Sequence, residues 1–396
     1  MPATLKVLIL SARAPVALDW ARQVAAAGHT VYLADYGAGA LGEHSALAAD
    51  FFHIPPPAQA PETFIASLAA LIEQHQLDWL IPTCEEIFCL AHYRHLLPTS
   101  CHIFCDDFDT LHLLHHKQRL PLQAALLGID TPHSEYFYEQ GLSDVWRSQK
   151  RVLKPVYSRF GHQTHIIAAH ADWPAHIPRD GTWLQQAYIT GREICSYSIA
   201  HTGRILTHVN YLGRYRYKNG ASYYFEPLEH AHIQAQVAKL VQALNFTGQI
   251  AFDWIEEDLT GRLCVLECNP RATSGLHLLP HDGGVFQAIL QQQPYQAPLK
   301  TKMFAAMMLS DGLKNAWQQG LLAAWWQDWR RGQDVLGQAR LYRGVLQDSW
   351  AFYRLSQRLQ LPLEAATCHA FAWNGQAWPE LNDVNDILLF RDAPTC

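Results

Sequence analysis

The stretch from Ile250 to Arg271 constrains this chain more than any other. It alternates apolar and polar residues on both sides of Asp258-Leu259-Thr260-Gly261, the pattern of two antiparallel strands joined by a short hairpin. Period two puts Glu267 and Asn269 on one face of the second strand, and hairpin pairing can bring Asp253 on the first strand opposite them. Two carboxylates and an amide oxygen converging in this way form a hard, oxygen-rich pocket of the kind that holds magnesium against phosphates. Pro270 ends the ladder, and Arg271 adds a permanent positive charge beside it. Taken singly, each of these residues reads as well as a polar group on a solvated hairpin face; the grouping is what points to a metal.

The rest of the composition narrows the class. At 396 residues the chain can bury two or three cores, and 49% hydrophobic with 17% charged residues is the balance of a globular protein. The net charge of -6 argues against a nucleic-acid partner, which needs a basic face to displace counterions. No run of about 18 apolar residues is present to span a bilayer. Met1 to Lys6 leads straight into a strand-like run, so no secretory signal is expected. The nine cysteines lie largely in apolar segments and are expected to be reduced, as in a cytoplasmic protein.

Val7 to Leu10 reads as a buried parallel strand, Ser11-Ala12-Arg13-Ala14-Pro15 as a loop, and the following residues as a helix that Gly28 closes. With the strand Val31 to Ala34 ending at Asp35, this order predicts a doubly wound parallel α/β domain. No G-x-G-x-x-G turn is present, so a dinucleotide is not indicated. Ligands bind at the carboxyl ends of such strands, which makes Ser11 and Arg13 candidate substrate contacts. Trp79 to Pro82 is a further strand that runs into Glu85 and Glu86. These carboxylates either cap the next helix through its positive end or bind an amine or hydroxyl of a substrate.

From Asp106 to Thr131 the chain reads as helical, with His112, His115, His116 and Lys117 close together; no carboxylate or cysteine completes a metal site around the histidines. Arg151 to Val156 reads as a strand carrying Lys154, followed by Tyr157-Ser158-Arg159-Phe160-Gly161. Cys195 to Ala200 and Ile205 to Val209 pair around Thr202-Gly203. Tyr211 to Gly220 alternates aromatic and basic residues and is read as a loop, either solvated or lying over an acceptor site to which its cations draw a carboxylate or phosphate. Glu85, Glu86, His208 and Arg214 are the candidates for that site.

Asp253 followed by Glu267-Cys268-Asn269-Pro270-Arg271 resembles the metal-binding hairpin of ATP-grasp ligases, whose signature is E-x-N-P-R. The resemblance runs from about residue 5 to 290 and is greatest to the carbamoyl-phosphate-synthase-like branch that includes mycosporine-glycine synthase. It rests on A-A-G-H-T-V-Y-L after the first helix, T-G-Q-I-A-F-D-W-I, L-E-C-N-P-R-A-T-S and a helical C-terminal extension. It implies an ATP-grasp fold: an N-terminal α/β domain over 1–112, an ATP-grasp domain over 113–295 with a small α+β lid at about 145–190 and an antiparallel metal-bearing sheet, and a Trp-rich helical subdomain over 296–396.

The same resemblance implies that Lys117 and Lys154 approach the phosphates of ATP, and that Ser158 and Arg159 supply side-chain donors in a phosphate loop whose single glycine is Gly161. It places Gln186, Ala187 and Ile189 on the adenine edge through main-chain groups, and Glu193 toward ribose or phosphates. Magnesium, with manganese as its alternative, would sit on Asp253, Glu267 and Asn269, while Lys154 and Arg271 serve the reaction. The implied activity is ADP-forming ligation: a carboxylate or enolic oxygen is phosphorylated and then joined to an amine such as an amino acid. A nucleotide-binding regulatory protein on the same scaffold is the competing expectation. A homodimer is the base-rate expectation. Seven of the 13 tryptophans (Trp317, Trp325, Trp326, Trp329, Trp350, Trp373, Trp378) lie in the last quarter. They are expected to pack a helical subdomain on the core, or to meet a hydrophobic carrier or a membrane surface.

Overall fold

The computed structural model describes residues 4–37, 39–139, 144–159, 163–217 and 220–381. It divides into two units that interleave along the chain: Met1–Phe108, Arg271–Gln296 and Leu336–Cys396 form the first, Asp109–Pro270 and Ala297–Val335 the second.

The first unit opens with β1 (Lys6–Ile9), α1 (Pro15–Ala26), β2 (Thr30–Asp35), β3 (Ala48–His53), α2 (Pro61–His75), β4 (Trp79–Ile81), α3 (Glu86–His92) and β5 (His102–Ile103). The five strands are parallel, in the order β3-β2-β1-β4-β5. Val7, Leu8 and Ile9 are wholly buried, as an unbroken apolar run in a parallel sheet requires. Pro15 starts α1, where its missing N–H costs nothing, and Gly28 at φ 86° turns the chain out of the helix. The strand order reverses between β1 and β4, so the loops after them meet at the switch point where such sheets bind ligands.

The second unit begins with α4 (Phe108–His115) and α5 (Arg119–Leu126). Then come β6 (Ser134–Tyr138), α6 (Asp144–Arg147), β7 (Arg151–Pro155), β8 (His165–Ile167) and β9 (Asp180–Ala187), a small antiparallel sheet in the order β6-β9-β7-β8. Phe137, Leu153 and Ile177 form its core. A larger sheet follows from β10 (Gly191–His201), β11 (Arg204–Arg216), β12 (Ser222–Leu228), α7 (Ala231–Ala243), β13 (Gly248–Glu257) and β14 (Leu263–Asn269).

After α8 (Gly284–Gln291) in the first unit, β15 (Lys302–Met303), α9 (Ala305–Met307), α10 (Leu313–Gln319), α11 (Leu322–Arg331) and β16 (Gln333–Asp334) return to the second. They complete a seven-stranded sheet ordered β14-β13-β10-β11-β12-β15-β16. Trp325 packs there with Tyr223, Tyr224, Met303, Met308 and Ala316. The chain then adds α12 (Ala339–Leu359) and α13 (Leu363–Cys368) to the first unit. Among the described residues no helix is long and apolar enough to cross a membrane.

Two local expectations are corrected. Lys117 is not on a helix: it lies in the break between α4 and α5, where the Arg119 amide turns back to the His116 carbonyl. The stretch from Tyr211 to Arg216 is not a loop but the end of β11, paired with β12 at every residue but Tyr215. The aromatic and basic alternation that suggests a charged loop is itself the period of a strand.

Candidate active site

β13 and β14 pair Glu256 with Leu263, Ile255 with Cys264 and Trp254 with Val265, then skip Leu266, so that Asp253 meets Glu267, Phe252 meets Cys268 and Ala251 meets Asn269. The one-residue bulge is what sets the two carboxylates against each other. Asn269, two residues beyond Glu267, shares its face of β14. On the other side of β13, Cys195 of β10 stands across from Asp253, and burial beside that carboxylate holds the thiol well above its usual range. Cys195 is a neighbour that the sequence reading passes over; its place two residues after Glu193 on a period-two strand was the available signal.

Two lysines converge on this row. Lys117 Nζ lies 3.4 Å from Glu267 Oε2 and donates to the Ser158 carbonyl at 3.1 Å. Lys154, buried near the end of β7, faces the charges of Glu267 and Asp253. Burial pushes its pKa down to about 8 against the opposing pull of Glu267. Burial, together with the charge of Glu267, also holds the Asp253 carboxyl well above the usual range. Glu267 moves the other way: burial opposes its charge, but Lys117 and Lys154 outweigh it and keep it ionised.

A like-charge pair opposed across a ladder is a destabilising arrangement that a divalent cation relieves. Asp253, Glu267 and the Asn269 amide are hard oxygen donors, so these residues fit magnesium. Among the described residues no group of three or more His, Cys, Asp and Glu is arranged to hold a metal ion. Magnesium is commonly held by one or two carboxylates, with substrate phosphates and water completing its shell.

At the end of β9, Gln186 donates from Nε2 to Ser134 Oγ at 2.8 Å. The Ala187 amide donates to the His133 carbonyl and that of Tyr188 to the Lys150 carbonyl, while the Ile189 amide has no hydrogen-bond partner among the described residues. Ile189 is therefore the main-chain donor left for a ligand, and the Ala187 amide is already engaged. Glu193 pairs with Arg216 at 2.5 Å and is half exposed. His112 Nε2 and the Tyr157 hydroxyl are 2.7 Å apart, which ties α4 to the residue before Ser158. Phe160, Gly161, Lys218 and Asn219 lie outside the described residues.

The other candidates are engaged within their own units. Ser11 is buried, with its Oγ 2.7 Å from the Tyr36 hydroxyl. Arg13 is held by Asp35, lies 3.6 Å from Asp348 and covers the Phe352 ring. Glu86 accepts from the Thr83 and Cys84 amides, and burial raises its pKa. Glu85, also buried, accepts the Trp373 amide at 3.2 Å and lies 3.9 Å from Arg271, which belongs to the first unit. In the second unit His208 is bonded to Ser198 and Asn210, and burial pushes its pKa down to about 4, so it is neutral near pH 7. Arg214 is spanned between Glu226 and Asp328.

No protein-family model and no curated protein matches the chain. Solved structures do. N5-carboxyaminoimidazole ribonucleotide synthetase in its ADP complex superposes with a TM-score of 0.59 at 13% identity, over 76% of this chain and 81% of that one. The L-amino acid ligase from Bacillus licheniformis gives 0.56 at 14% over 74% and 75%. Biotin carboxylase from Campylobacter jejuni gives 0.59 at 13% over 74% and 72%. With its parallel sheet, its small antiparallel sheet and the larger, mostly antiparallel sheet that carries Asp253 and Glu267, this chain has the ATP-grasp fold.

Proposed function

We propose that this protein is an ATP-dependent ligase of the carbamoyl-phosphate-synthase-like branch, which activates a carboxylate or an enolic oxygen and couples it to an amine, releasing ADP and phosphate. The observation that carries the reading is the convergence of Lys117 and Lys154 on the opposed pair Asp253 and Glu267. Cations beside a carboxylate pair are what a triphosphate with its metal needs.

In this reading Lys117 and Lys154 hold the phosphates, Ser158 adds a donor, and the main chain of Gln186, Ala187 and Ile189 meets adenine, with Glu193 toward the ribose. Asp253, Glu267 and Asn269 would hold magnesium, which when bound would neutralise the charge that spreads over the transferring phosphoryl group. The acceptor oxygen attacks the γ-phosphorus, forming an O–P bond as the bond to ADP breaks. Amine nitrogen then attacks the activated carbon, phosphate leaves and the nitrogen loses its proton. Arg271 is assigned the phosphate of the activated acceptor, and the small sheet β6 to β9 the exclusion of water. Ser11, Glu85 and Glu86, at the carboxyl ends of β1 and β4, are assigned to the acceptor. Use of ATP makes the cytoplasm the proposed location.

Glu267→Gln tests the assignment. Amine-dependent ADP release, assayed with pooled amino acids and small carboxylic acids, is expected in the wild type and lost in the variant while the fold is kept. Equal turnover by the variant would discard it. ATP binding without ADP release in the wild type would favour the regulatory alternative.

A further inference from the structure

We infer that the outer face of α10 and α11 docks on an anionic lipid surface. The inner face of this helix pair is fully used: Ala316 and Trp325 lie in the core with Tyr223, Tyr224 and Met303, and the Trp325 indole donates to the Met308 carbonyl. The outer face is exposed and carries large apolar side chains among polar and basic ones. Trp317 is 72% exposed and Trp326 54%, with Leu309, Leu321 and Leu322 exposed as well. Large exposed apolar groups brought together in this way mark an interaction site, and one such residue alone would not.

The helix junction holds them in one place. The Leu321 amide returns to the Ala316 carbonyl and that of Gly320 to the Trp317 carbonyl, with Gly320 at φ 72°. This Schellman-type end folds α11 back directly after α10. On α11 Leu322 precedes Trp326 by four residues, so this Trp has a Leu one turn away.

Charge selects the occupant. Between 309 and 333 the only acids are Asp311 and Asp328, and both face inward: Asp311 accepts from Tyr223 and Asn315, Asp328 from Arg214 and Tyr215. The cations Lys314, Arg330 and Arg331 are exposed and make no ion pair among the described residues. The outer face is thus positive and Trp-bearing on a chain whose net charge is -6. An isologous contact between two copies through this face would set cation against cation. Anionic headgroups complement the cations, whose stems can lie along the apolar surface, while indoles favour the boundary between headgroup and acyl chain.

The test is co-sedimentation of the full chain with phosphatidylcholine vesicles, either pure or containing about one third phosphatidylserine. The expected result is a tenfold or greater preference for the anionic vesicles, as three cations near such a surface imply, reduced by salt. Trp317→Ser with Trp326→Ser should lose most of the binding at an unchanged thermal midpoint, as both side chains are exposed; Arg330→Gln with Arg331→Gln should lose only the anionic preference. Absence of vesicle binding, or undiminished binding by the tryptophan variant, would overturn the inference. So would self-association of the wild type that the tryptophan variant abolishes, because the occupant would then be a second copy.

Discussion

Asp253 stands across from Glu267 because Leu266 drops out of the ladder between them. Continued without interruption from Trp254 and Val265, the pairing would set Asp253 against Leu266 and leave Glu267 opposite Phe252. The extra residue brings two acids together inside a sheet, an arrangement that costs folded stability and makes sense as a place for a cation.

Asp253→Asn should therefore stabilise the ligand-free protein while ending amine-dependent ADP release. Removing one of two opposed, partly exposed charges is worth about 1 kcal/mol. The urea midpoint should rise with an unchanged slope; a lower midpoint would show that the pair is not repulsive.

Lys154→Met keeps the length of a buried side chain and removes its charge. Loss of one charge contact to phosphate should weaken ATP binding roughly tenfold or more, about 1.4 kcal/mol. Isothermal titration with a nonhydrolysable ATP analogue reads this directly. Unchanged affinity would take Lys154 out of the nucleotide site.

Asp348 gives the first unit a pH dependence. Burial pushes its pKa up to about 7, against the pull of Arg13 and with that of Asp35 and Glu43. A carboxyl whose folded pKa is raised contributes stability that is complete below its unfolded value of about 4 and is lost as pH rises through about 7. Asp348→Asn should match the wild type near pH 4 and exceed it by about 2 kcal/mol at pH 8. Parallel stability curves for the two proteins over that range would exclude the effect.

Arg214→Leu should lower stability by about 2 kcal/mol, because Asp328 is buried and would keep only Tyr215 as a side-chain partner. The midpoint of denaturation checks it. A raised KM for the acceptor with no loss of stability would instead return Arg214 to the substrate site.

Much of the architecture was written in local pattern. The apolar run Val7 to Leu10, Pro15 and Gly28 around α1, and the period-two arms about Asp258 to Gly261 each declare their element, because burial and backbone sterics act within a few residues. The pattern misled where two readings share one period: the alternation from Tyr211 to Arg216 looks like a cationic loop until β12 is seen beside it. It was silent where the deciding contact is distant. Nothing near Lys117 says that its amine meets Glu267, 150 residues on, and nothing near Arg214 announces Asp328. Sequence alone determined which residues carry oxygen, nitrogen and charge, and for most segments whether they are strands or helices. Register, burial and partner choice came from the tertiary structure: a single bulged leucine changes which side chains oppose, and a carboxylate's protonation depends on cations that only folding brings within reach.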